Sequence, residues 1–246
     1  MNEQMVFERY ELKYRLSRRQ QQALVRAMAP YMALDGYGHS VIRNLYYDTP
    51  DMRLIRRSLE KPVYKEKLRV RSYGCAGMET PVFVELKKKY EDVVYKRRIL
   101  LPQGQALACL AGDAPLPDSQ IGREIAYALS FYGTLRPAVF LSYARDAYAP
   151  RDGGPFRVTL DTQIRYRTDG LTLGGDCGGR ALLAQDQVLM ELKTPDAIPL
   201  WMARALSACG VRRTSFSKYG AAYRQMCREG QKEACSHVGC SLWRRV

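Results

Sequence analysis

Histidine is scarce in this sequence, whose 246 residues include only His39 and His237. So few imidazoles disfavour a histidine-based metal centre or a Ser-His-Asp catalytic site, because both need histidine among further polar partners. The Gly-rich loop that ends in Lys-Ser or Lys-Thr is also missing, which excludes a P-loop nucleotide site. No run of 18 apolar residues occurs, so the sequence predicts no transmembrane helix. The chemistry has to come from other residue types.

Cysteines are few and irregularly placed. There are seven, an odd number without the regular spacing of a disulfide framework, and no secretory signal precedes them. We therefore expect a reduced, cytoplasmic compartment. Any membrane association would then come through a membrane-protein partner or a basic surface.

Basic residues outnumber acidic ones by 39 to 25, which gives a formal net charge of +14. Such an excess predicts an acidic partner, namely nucleic acid, an anionic membrane or polyphosphate. Nucleic-acid binders usually carry their basic residues as a surface stripe or a tail. In this chain the basic residues alternate within strand-like segments, which favours an enclosed anion, so no nucleic-acid partner is expected. A hydrophobic content of 46% is enough for a packed core.

Several segments have one apolar and one charged face when they are read with the two-residue period of a strand. In one of them Lys67, Arg69 and Arg71 alternate with Leu68 and Val70. The same pattern recurs in segments centred on Lys13, Glu85, Thr159 and Glu191.

A single charged strand face usually lies toward solvent. Five such segments, mostly basic with single carboxylates among the cations, instead favour a sheet closed around a polar interior. Lysines and arginines that line an interior repel one another unless an anion lies among them. The alternation therefore predicts a long polyanion bound inside a β-barrel.

The order of elements predicts an α+β fold, an antiparallel β-barrel with helices packed on its outside. Ser17 is a candidate N-cap for the first helix, because a serine side chain readily accepts a hydrogen bond from the first turn. The predicted strands cover residues 5–16, 41–48, 63–73, 81–89, 93–101, 138–148, 156–168 and 187–193. The main predicted helices cover residues 17–31, 118–132, 198–209 and 217–229. We expect one domain over residues 1–229 and a flexible tail over residues 230–246.

Short motifs with a recurring chemistry lie on these strands. They are Glu11-Leu-Lys13-Tyr14, Lys67-Leu-Arg69-Val-Arg71, Glu85-Leu-Lys87, Lys96-Arg-Arg98, Ser142-Tyr-Ala-Arg145, Arg157-Val-Thr-Leu-Asp161, Met190-Glu-Leu-Lys193 and Ser215-Phe-Ser-Lys218-Tyr219. In this order, from about residue 5 to residue 227, they resemble the VTC domain, the polyphosphate polymerase branch of the triphosphate tunnel metalloenzymes. The resemblance implies an antiparallel barrel that forms a tunnel, which agrees with the alternation. The family commonly has a basic residue two positions before Ser217, where this chain has Ser215, and Arg212 or Arg213 would have to replace it.

The resemblance also implies roles for individual residues. Catalytic cations that hold phosphates would be Lys13, Arg69, Arg71, Lys87, Arg145 and Arg157. Further substrate contacts would come from Lys67, Lys96, Arg98, Lys193, Ser217, Lys218 and Tyr219. Glu191 would bind Mn²⁺ or Mg²⁺, with Glu11 and Glu85 as further contributors, because these hard cations prefer oxygen ligands. Tyr14 and Tyr46 are further candidates for hydroxyl donors, or else belong to the barrel wall.

Three functions follow from the resemblance. The first is a metal-dependent polyphosphate polymerase, which passes the γ-phosphate of ATP to a growing inorganic polyphosphate chain. The second is a triphosphatase, which uses water as the acceptor for a nucleoside triphosphate or tripolyphosphate in the same tunnel. The third is a domain that binds polyphosphate without turning it over, against which the carboxylate of Glu191 argues.

Overall fold

A computed structural model of the chain describes residues 10–91 and 93–241, with side chains described up to residue 230. Its strands are β1 (Tyr10–Ser17), β2 (Met32–Asp48), β3 (Tyr64–Tyr73), β4 (Pro81–Tyr90), β5 (Val93–Pro102), β6 (Arg136–Pro150), β7 (Arg157–Arg167), β8 (Arg180–Ala181), β9 (Gln187–Thr194) and β10 (Arg213–Thr214). Its helices are α1 (Arg18–Met28), α2 (Arg53–Leu59), α3 (Gln103–Ala111), α4 (Gln120–Tyr132), α5 (Leu200–Ala208) and α6 (Lys218–Ser241).

The strands form one antiparallel sheet in the order β10-β1-β9-β7-β6-β2-β3-β4-β5, with β8 paired to β7 beside this path. The predicted α+β tunnel fold is confirmed, with one difference in how the sheet closes. Within the described residues the two ends of the sheet share no strand pairing. The strands next to the two ends meet through side chains, since the Lys87 ammonium of β4 lies 3.5 Å from the Glu11 carboxylate of β1.

The charged residues of the strands share the concave side of this sheet, which we call the inner face. Strand register establishes this, because directly opposed residues of an antiparallel pair point to the same side. Arg69 is opposite Glu85, and Glu85 is opposite Arg98 on the next strand. At the other end of the sheet Lys13 is opposite Glu191. The two-residue period therefore predicted correctly which side chains lie together on one face.

The apolar sides of the strands pack against helices on the outside. The outer residues of β3 and β4, such as Leu68 and Val84, form one core with α3 and α4, including Ile125. Leu192 of β9 belongs to a second core that contains residues of α1 and α5, including Met202. Each fully buried side chain of this kind contributes about 2 kcal/mol through the hydrophobic effect. The tunnel wall is therefore stabilised from outside, which leaves the inner face free for polar groups.

The beginning of α6 packs onto the inner face at one end of the tunnel. Tyr219 is 1% exposed, and its ring stacks on Tyr46 of β2 with 4.4 Å between the ring centroids. The Tyr219 hydroxyl donates a hydrogen bond of 2.8 Å to Asp48, the last residue of β2. The same carboxylate accepts hydrogen bonds from backbone N–H groups of α2, at Leu54 and Ile55. The buried Asp48 carboxylate thus connects α2, β2 and α6 by hydrogen bonds and fixes the position of the start of α6 on the inner face.

Element ends differ from the sequence expectation at the start of β2 and at the end of α6. Ser17 is the N-cap of α1 as expected, in a capping box in which its Oγ accepts from the Gln20 backbone and its own N–H donates to the Gln20 side chain. Strand β2 begins at Met32 and not at residue 41, because β2 pairs with β6 on both sides of an irregularity between Leu34 and His39. Helix α6 runs to Ser241 and not to residue 229, and no proline interrupts it. Residues 5–9 of the predicted first strand and residues 242–246 of the predicted tail lie outside the described residues.

Candidate active site

Glu85 lies at the centre of one group of buried charges, which we call the Glu85 cluster and which contains Arg69, Arg71 and Lys96. The Glu85 side chain is 1% exposed. One carboxylate oxygen accepts hydrogen bonds from the Arg69 guanidinium at 2.7 Å, and the other lies 2.7 Å from the Lys96 ammonium. Arg71 is 3.7 Å away. Burial alone would raise the pKa of Glu85, but Arg71, Arg69 and Lys96 hold that pKa well below its usual value.

The guanidinium groups of this cluster are held from a second side by neutral residues of β2. Arg69 donates to the Tyr46 hydroxyl at 2.9 Å, and Arg71 donates to the side-chain carbonyl of Asn44 at 3.0 Å. Arginine presents its donors in a rigid planar fork, so these contacts fix the orientation of the remaining donors. The two guanidinium groups are therefore preorganised for an anion with several oxygen atoms.

Lys96 of this cluster and the neighbouring Lys67 are short of negative charge. Burial, followed by repulsion from Lys87 and Lys13, lowers the pKa of Lys67 to about 7. The Lys67 ammonium donates to the Ser217 hydroxyl at 3.0 Å, a neutral acceptor. Burial also lowers the pKa of Lys96. The nearby Glu85 offsets this effect only in part, so the pKa of Lys96 is about 8. A buried ammonium with a lowered pKa gains strongly from an added anion, so this part of the inner face suits phosphate oxygens.

A second group of charges, the Glu191 cluster, contains Glu191, Asp161, Lys218, Arg145 and Lys13. Arg145 binds Asp161 through two hydrogen bonds of 2.6 and 2.7 Å, and its guanidinium lies 3.5 Å from Glu191. Lys218 lies between the two carboxylates, 2.6 Å from Asp161 and 3.1 Å from Glu191. Burial opposes these charges, yet Lys218, Lys13 and Arg145 keep the pKa of Glu191 well below its usual value. In this cluster the cations and carboxylates neutralise one another.

Glu11 joins the two parts of the tunnel. The Glu11 carboxylate lies 3.1 Å from the Lys13 ammonium and 3.5 Å from the Lys87 ammonium of β4. The Lys13 ammonium also lies 3.7 Å from the Glu191 carboxylate. Burial would raise the pKa of Glu11, but Lys87, Lys13 and Lys193 lower it to about 2. Glu11 and Glu191 are thus close neighbours around Lys13, and their role in a metal site stays a prediction.

The carboxylates fit a divalent cation in a restricted way. Among the described residues no group of three or more His, Cys, Asp or Glu side chains converges on one point. Mg²⁺ is commonly bound through one or two carboxylates together with substrate phosphates and water, which needs no such cage. Glu191 qualifies as the anchor, with Asp161 or Glu11 beside it. Glu85 fits less well, since Arg69 and Lys96 lie only 2.7 Å from its two oxygens. By contrast, Lys218 and Arg145 lie 3.1 and 3.5 Å from the oxygens of Glu191.

Most of the residues that the sequence singled out reach the tunnel. Those that line it or open onto it are Lys13, Lys67, Arg69, Arg71, Lys87, Lys96, Arg98, Arg145, Arg157, Lys193, Ser217, Lys218, Glu11, Glu85 and Glu191. Arg157 lies at one end of this set, where its guanidinium donates to the backbone carbonyls of Gly154 and Phe156. Their individual roles stay predictions.

The structure places two tyrosines and one arginine from the sequence analysis away from the tunnel lining, and for Tyr14 this is the barrel-wall alternative that the sequence left open. Tyr219 is buried against Tyr46 with its hydroxyl on Asp48, so the structure does not support a substrate contact. Tyr14 belongs to the outer core with α1 and α5. Arg213 is directly opposite Tyr14 on β10, so it faces outward and does not replace the basic residue that is missing at Ser215.

Sequence reasoning missed two members of the site, Asp161 and Tyr143. Asp161 is fully buried between Arg145 and Lys218. The sequence shows that Asp161 lies on the charged side of its segment, but it does not show that Arg145 and Lys218 are its partners. The Tyr143 hydroxyl lies 3.5 Å from Arg71, and the Lys218 ammonium lies 4.6 Å from the centre of its ring. Burial would raise the pKa of Tyr143, but Arg145, Arg71 and Lys218 lower it.

Comparisons with known proteins agree with this geometry. The family model of the VTC domain matches residues 8–227. The chain belongs to the VTC domain family. A curated relative, the vacuolar transporter chaperone complex subunit 4 of Schizosaccharomyces pombe, is 25% identical across 65% of this VTC domain chain. The chain spans only 25% of the length of that relative.

Two solved structures share the fold of this VTC domain. An adenylate cyclase-like protein from Bacillus halodurans superposes with a TM-score of 0.54 at 15% identity, over 87% of this chain and 95% of that protein. An adenylyl cyclase-like protein from Hippeastrum, described as having a dominant triphosphatase activity, gives a TM-score of 0.52 at 19% identity, over 89% of this chain and 96% of that protein.

Two further observations concern membrane-spanning helices and cysteines. Among the described residues, no helix is both long and apolar enough to cross a membrane. The cysteines whose side chains are described, at positions 75, 109, 177, 209 and 227, are free thiols.

Proposed function

We propose that this VTC domain transfers the γ-phosphate of ATP to the end of a growing inorganic polyphosphate chain inside the tunnel, with Mn²⁺ or Mg²⁺ as cofactor. The observation that carries the proposal is the inner face of β3–β5, where Lys67 and Lys96 have lowered pKa values beside oriented arginines. A phosphate chain is the ligand that relieves this excess of positive charge. Membership of the VTC domain family and the similarity to a vacuolar transporter chaperone subunit support the proposal.

The two clusters divide the work of phosphoryl transfer. Arg69 and Arg71, with Lys67, Lys87 and Lys96 beside them, would hold phosphate oxygens and stabilise the charge that develops on the transferring group. Transfer of a phosphoryl group needs little covalent help from a protein, because positioning and charge stabilisation dominate.

The Glu191 cluster would hold the cofactor. A divalent cation bound by Glu191, with Asp161 or Glu11 beside it, would neutralise charge on bridging phosphate oxygens. Arg145 would keep Asp161 and Glu191 in position, since its guanidinium contacts both.

Hydrolysis of a triphosphate is the second candidate, and one observation favours it. The packing of Tyr219 of α6 against Tyr46 covers the inner face at one end of the tunnel. A covered end accommodates a short triphosphate more easily than a polymer that has to pass through. The Hippeastrum protein with this fold is described as a triphosphatase. Both reactions would use the same cations, so only the acceptor distinguishes them.

The decisive experiment incubates the purified protein with ATP and Mn²⁺, resolves the products on a polyphosphate-staining gel, and assays ADP and free phosphate in parallel. We expect a ladder that a polyphosphatase removes, with matching release of ADP. Free phosphate without a ladder would show a triphosphatase instead. An Arg71→Ala variant should give neither product, whereas Arg97→Ala, which removes an arginine from the outer side of β5, should behave as the wild type. Absence of turnover with retained polyphosphate binding would reduce the protein to a binding domain.

The location is a separate part of the proposal. The curated relative is a subunit of a vacuolar transporter chaperone complex, and this chain spans a quarter of its length. We infer that this domain acts on the cytoplasmic side of a membrane and reaches the membrane through a membrane-protein partner. Fractionation of cells that express the tagged full-length protein would test this: the protein should sediment with membranes and be released by detergent. Recovery in the soluble fraction would contradict the inference.

A further inference from the structure

Three aromatic side chains form an exposed group at the end of the tunnel away from α6. Tyr73 is the last residue of β3, and its ring lies 6.2 Å from the ring of Tyr37 in a stacked arrangement. On its other side, the edge of Tyr73 meets Phe83 of β4, with 6.1 Å between centroids and an angle of 83°. Tyr37 is 77% exposed and Tyr73 is 47% exposed. We call Tyr37, Tyr73 and Phe83 the aromatic mouth.

The aromatic mouth begins where the phosphate-binding cations end. Phe83 is directly opposite Arg71 in the register of β3 and β4. The Arg98 guanidinium lies over the Phe83 ring, 4.8 Å from its centre. Glu85 is two residues further along β4, a distance of about 7 Å along a strand. An occupant of the aromatic mouth and a phosphate on Arg71 would therefore be immediate neighbours.

The backbone that carries Tyr37 is held in place locally. The Asp35 carboxylate accepts hydrogen bonds from the N–H groups of Tyr37, at 2.9 Å, and of Gly38, at 3.1 Å. Gly38 has a φ of 48°, in the left-handed region that glycine adopts at little cost. This turn lies at the irregularity between Leu34 and His39 in the pairing of β2 with β6. The turn thus presents an exposed tyrosine ring beside Tyr73.

We propose that the aromatic mouth binds the base of a nucleoside triphosphate whose phosphates extend toward Arg71, Arg69 and Lys96. This inference rests on the proposed function, since it assigns a subsite for the nucleotide in the same tunnel. Exposed aromatic rings beside a cation favour a planar heteroaromatic group attached to phosphates. An inorganic phosphate chain has no planar or apolar part and would gain nothing from these rings. Because stacking accepts any base, the site should discriminate weakly between ATP and GTP.

The test compares the affinities for ATP and for tripolyphosphate, which carries the same phosphates without a base, by calorimetry in the absence of metal. The variants are Tyr73→Ala and Phe83→Leu, and the matched control is Tyr127→Ala, which removes an aromatic ring that is 68% exposed on α4, outside the barrel. We expect wild-type protein to bind ATP more tightly than tripolyphosphate. Each aromatic-mouth variant should weaken ATP binding about fivefold to a hundredfold, the range found for loss of one stacking partner. Binding of tripolyphosphate should stay unchanged, and the control should bind both ligands as the wild type does.

The possible failures are distinguishable. If the variants bound ATP as tightly as the wild type, or lost ATP and tripolyphosphate affinity equally, the aromatic mouth would have no role in binding the base. The inference would also be overturned if wild-type protein bound ATP no more tightly than tripolyphosphate, although the tunnel would stand as a phosphate site. Wild-type protein that bound neither ligand would refute the proposed function and this subsite together. Thermal melting of each variant identifies any loss of affinity that comes from unfolding.

Discussion

The two halves of the inner face differ in how far carboxylates compensate their buried lysines. In the half formed by β3–β5, within the described residues, Glu85 is the single inner carboxylate, and the pKa values of Lys67 and Lys96 fall to about 7 and about 8. In the half formed by β1, β7, β9 and the start of α6, the pKa values of Lys13 and Lys218 are raised despite burial, because carboxylates surround them. Lys193 of β9 is the exception in this half, since burial and the nearby Arg145 lower its pKa. Apart from Lys193, the buried lysines are thus uncompensated in one half and neutralised in the other.

This contrast separates two tasks within one tunnel. A half with excess positive charge is prepared for a polyanion, since an added phosphate improves its charge balance. A half that already balances its charges has carboxylates available for a cation, in exchange for the ammonium groups that now occupy them. Variants that change one half at a time test whether the two tasks are separate.

The largest effect is expected for removal of an arginine from the excess-charge half. Arg71→Ala should weaken tripolyphosphate binding about 10-fold to 100-fold, because a charge-assisted hydrogen bond to an anion contributes about 1.5–3 kcal/mol. Glu85 keeps Arg69 and Lys96 as partners, so the fold should persist. Calorimetry measures the affinity and thermal melting checks the fold.

The matched control for this variant is Arg97→Ala. Arg97 is the same residue type on the outer side of β5, where it pairs with Glu124 at 3.3 Å. This variant carries the same change in net charge and should bind tripolyphosphate as the wild type does. Equal weakening in both variants would mean that overall charge, and not the inner face, attracts the anion.

The second prediction concerns the balanced half. Glu191→Gln should abolish most of the increase in triphosphate affinity that Mn²⁺ produces, at least about tenfold, because it removes the charge of the proposed metal anchor. Glu85→Gln should retain the Mn²⁺ effect, since Arg69 and Lys96 hold both oxygens of Glu85 at 2.7 Å, closer than any described cation lies to Glu191. Titration of Mn²⁺ at fixed ligand concentration measures both. A lost Mn²⁺ effect in Glu85→Gln with a normal one in Glu191→Gln would reverse the assignment.

The third prediction uses pH. In the free protein Lys67 loses its proton above about pH 7 and Lys96 above about pH 8, and a bound phosphate would raise both pKa values. Binding then takes up protons, so tripolyphosphate affinity should fall between pH 7 and pH 9, by at most about tenfold per pH unit for each proton. Lys67→Arg keeps its charge throughout this range and should show a shallower fall.

Calorimetry in buffers of different ionisation enthalpy measures the proton uptake directly. Wild type and Lys67→Arg should differ in the number of protons taken up near pH 8. Identical proton uptake in the two proteins would show that Lys67 does not titrate in the tunnel.

The smallest effect is expected for Glu11, which links the two halves. Its folded-state pKa of about 2 lies below the usual value of 4.5, so its ion pairs stabilise the fold above about pH 4.5 and lose this effect as the pH falls toward 2. Glu11→Gln should lower the free energy of unfolding by about 1 kcal/mol at pH 7, since the side chain is partly exposed to solvent. The difference between the two proteins should vanish near pH 2. Denaturant unfolding at several pH values checks this, and a constant difference would contradict it.

Local alternation was sufficient to predict much of the site. Arg69, Glu85 and Glu191 lie on the inner face because side chains alternate along any strand, whatever the strands around it do. The order of elements predicted that helices pack on the outside of the barrel. Family motifs added the tunnel fold and the candidate roles, and the match over residues 8–227 confirms the family.

Only the tertiary structure decided which charges meet. Asp161 and Lys218 are 57 positions apart in the chain, yet they lie 2.6 Å from each other because β7 and the start of α6 converge inside the tunnel. In the same way Glu85 belongs to a separate cluster, and Tyr219 closes onto Asp48 and not onto a substrate. The alternation within a strand is a local property of the backbone and can be read from neighbouring residues. Partner choice depends on strand order, sheet curvature and the entry point of a helix, which arise from contacts between residues far apart in sequence.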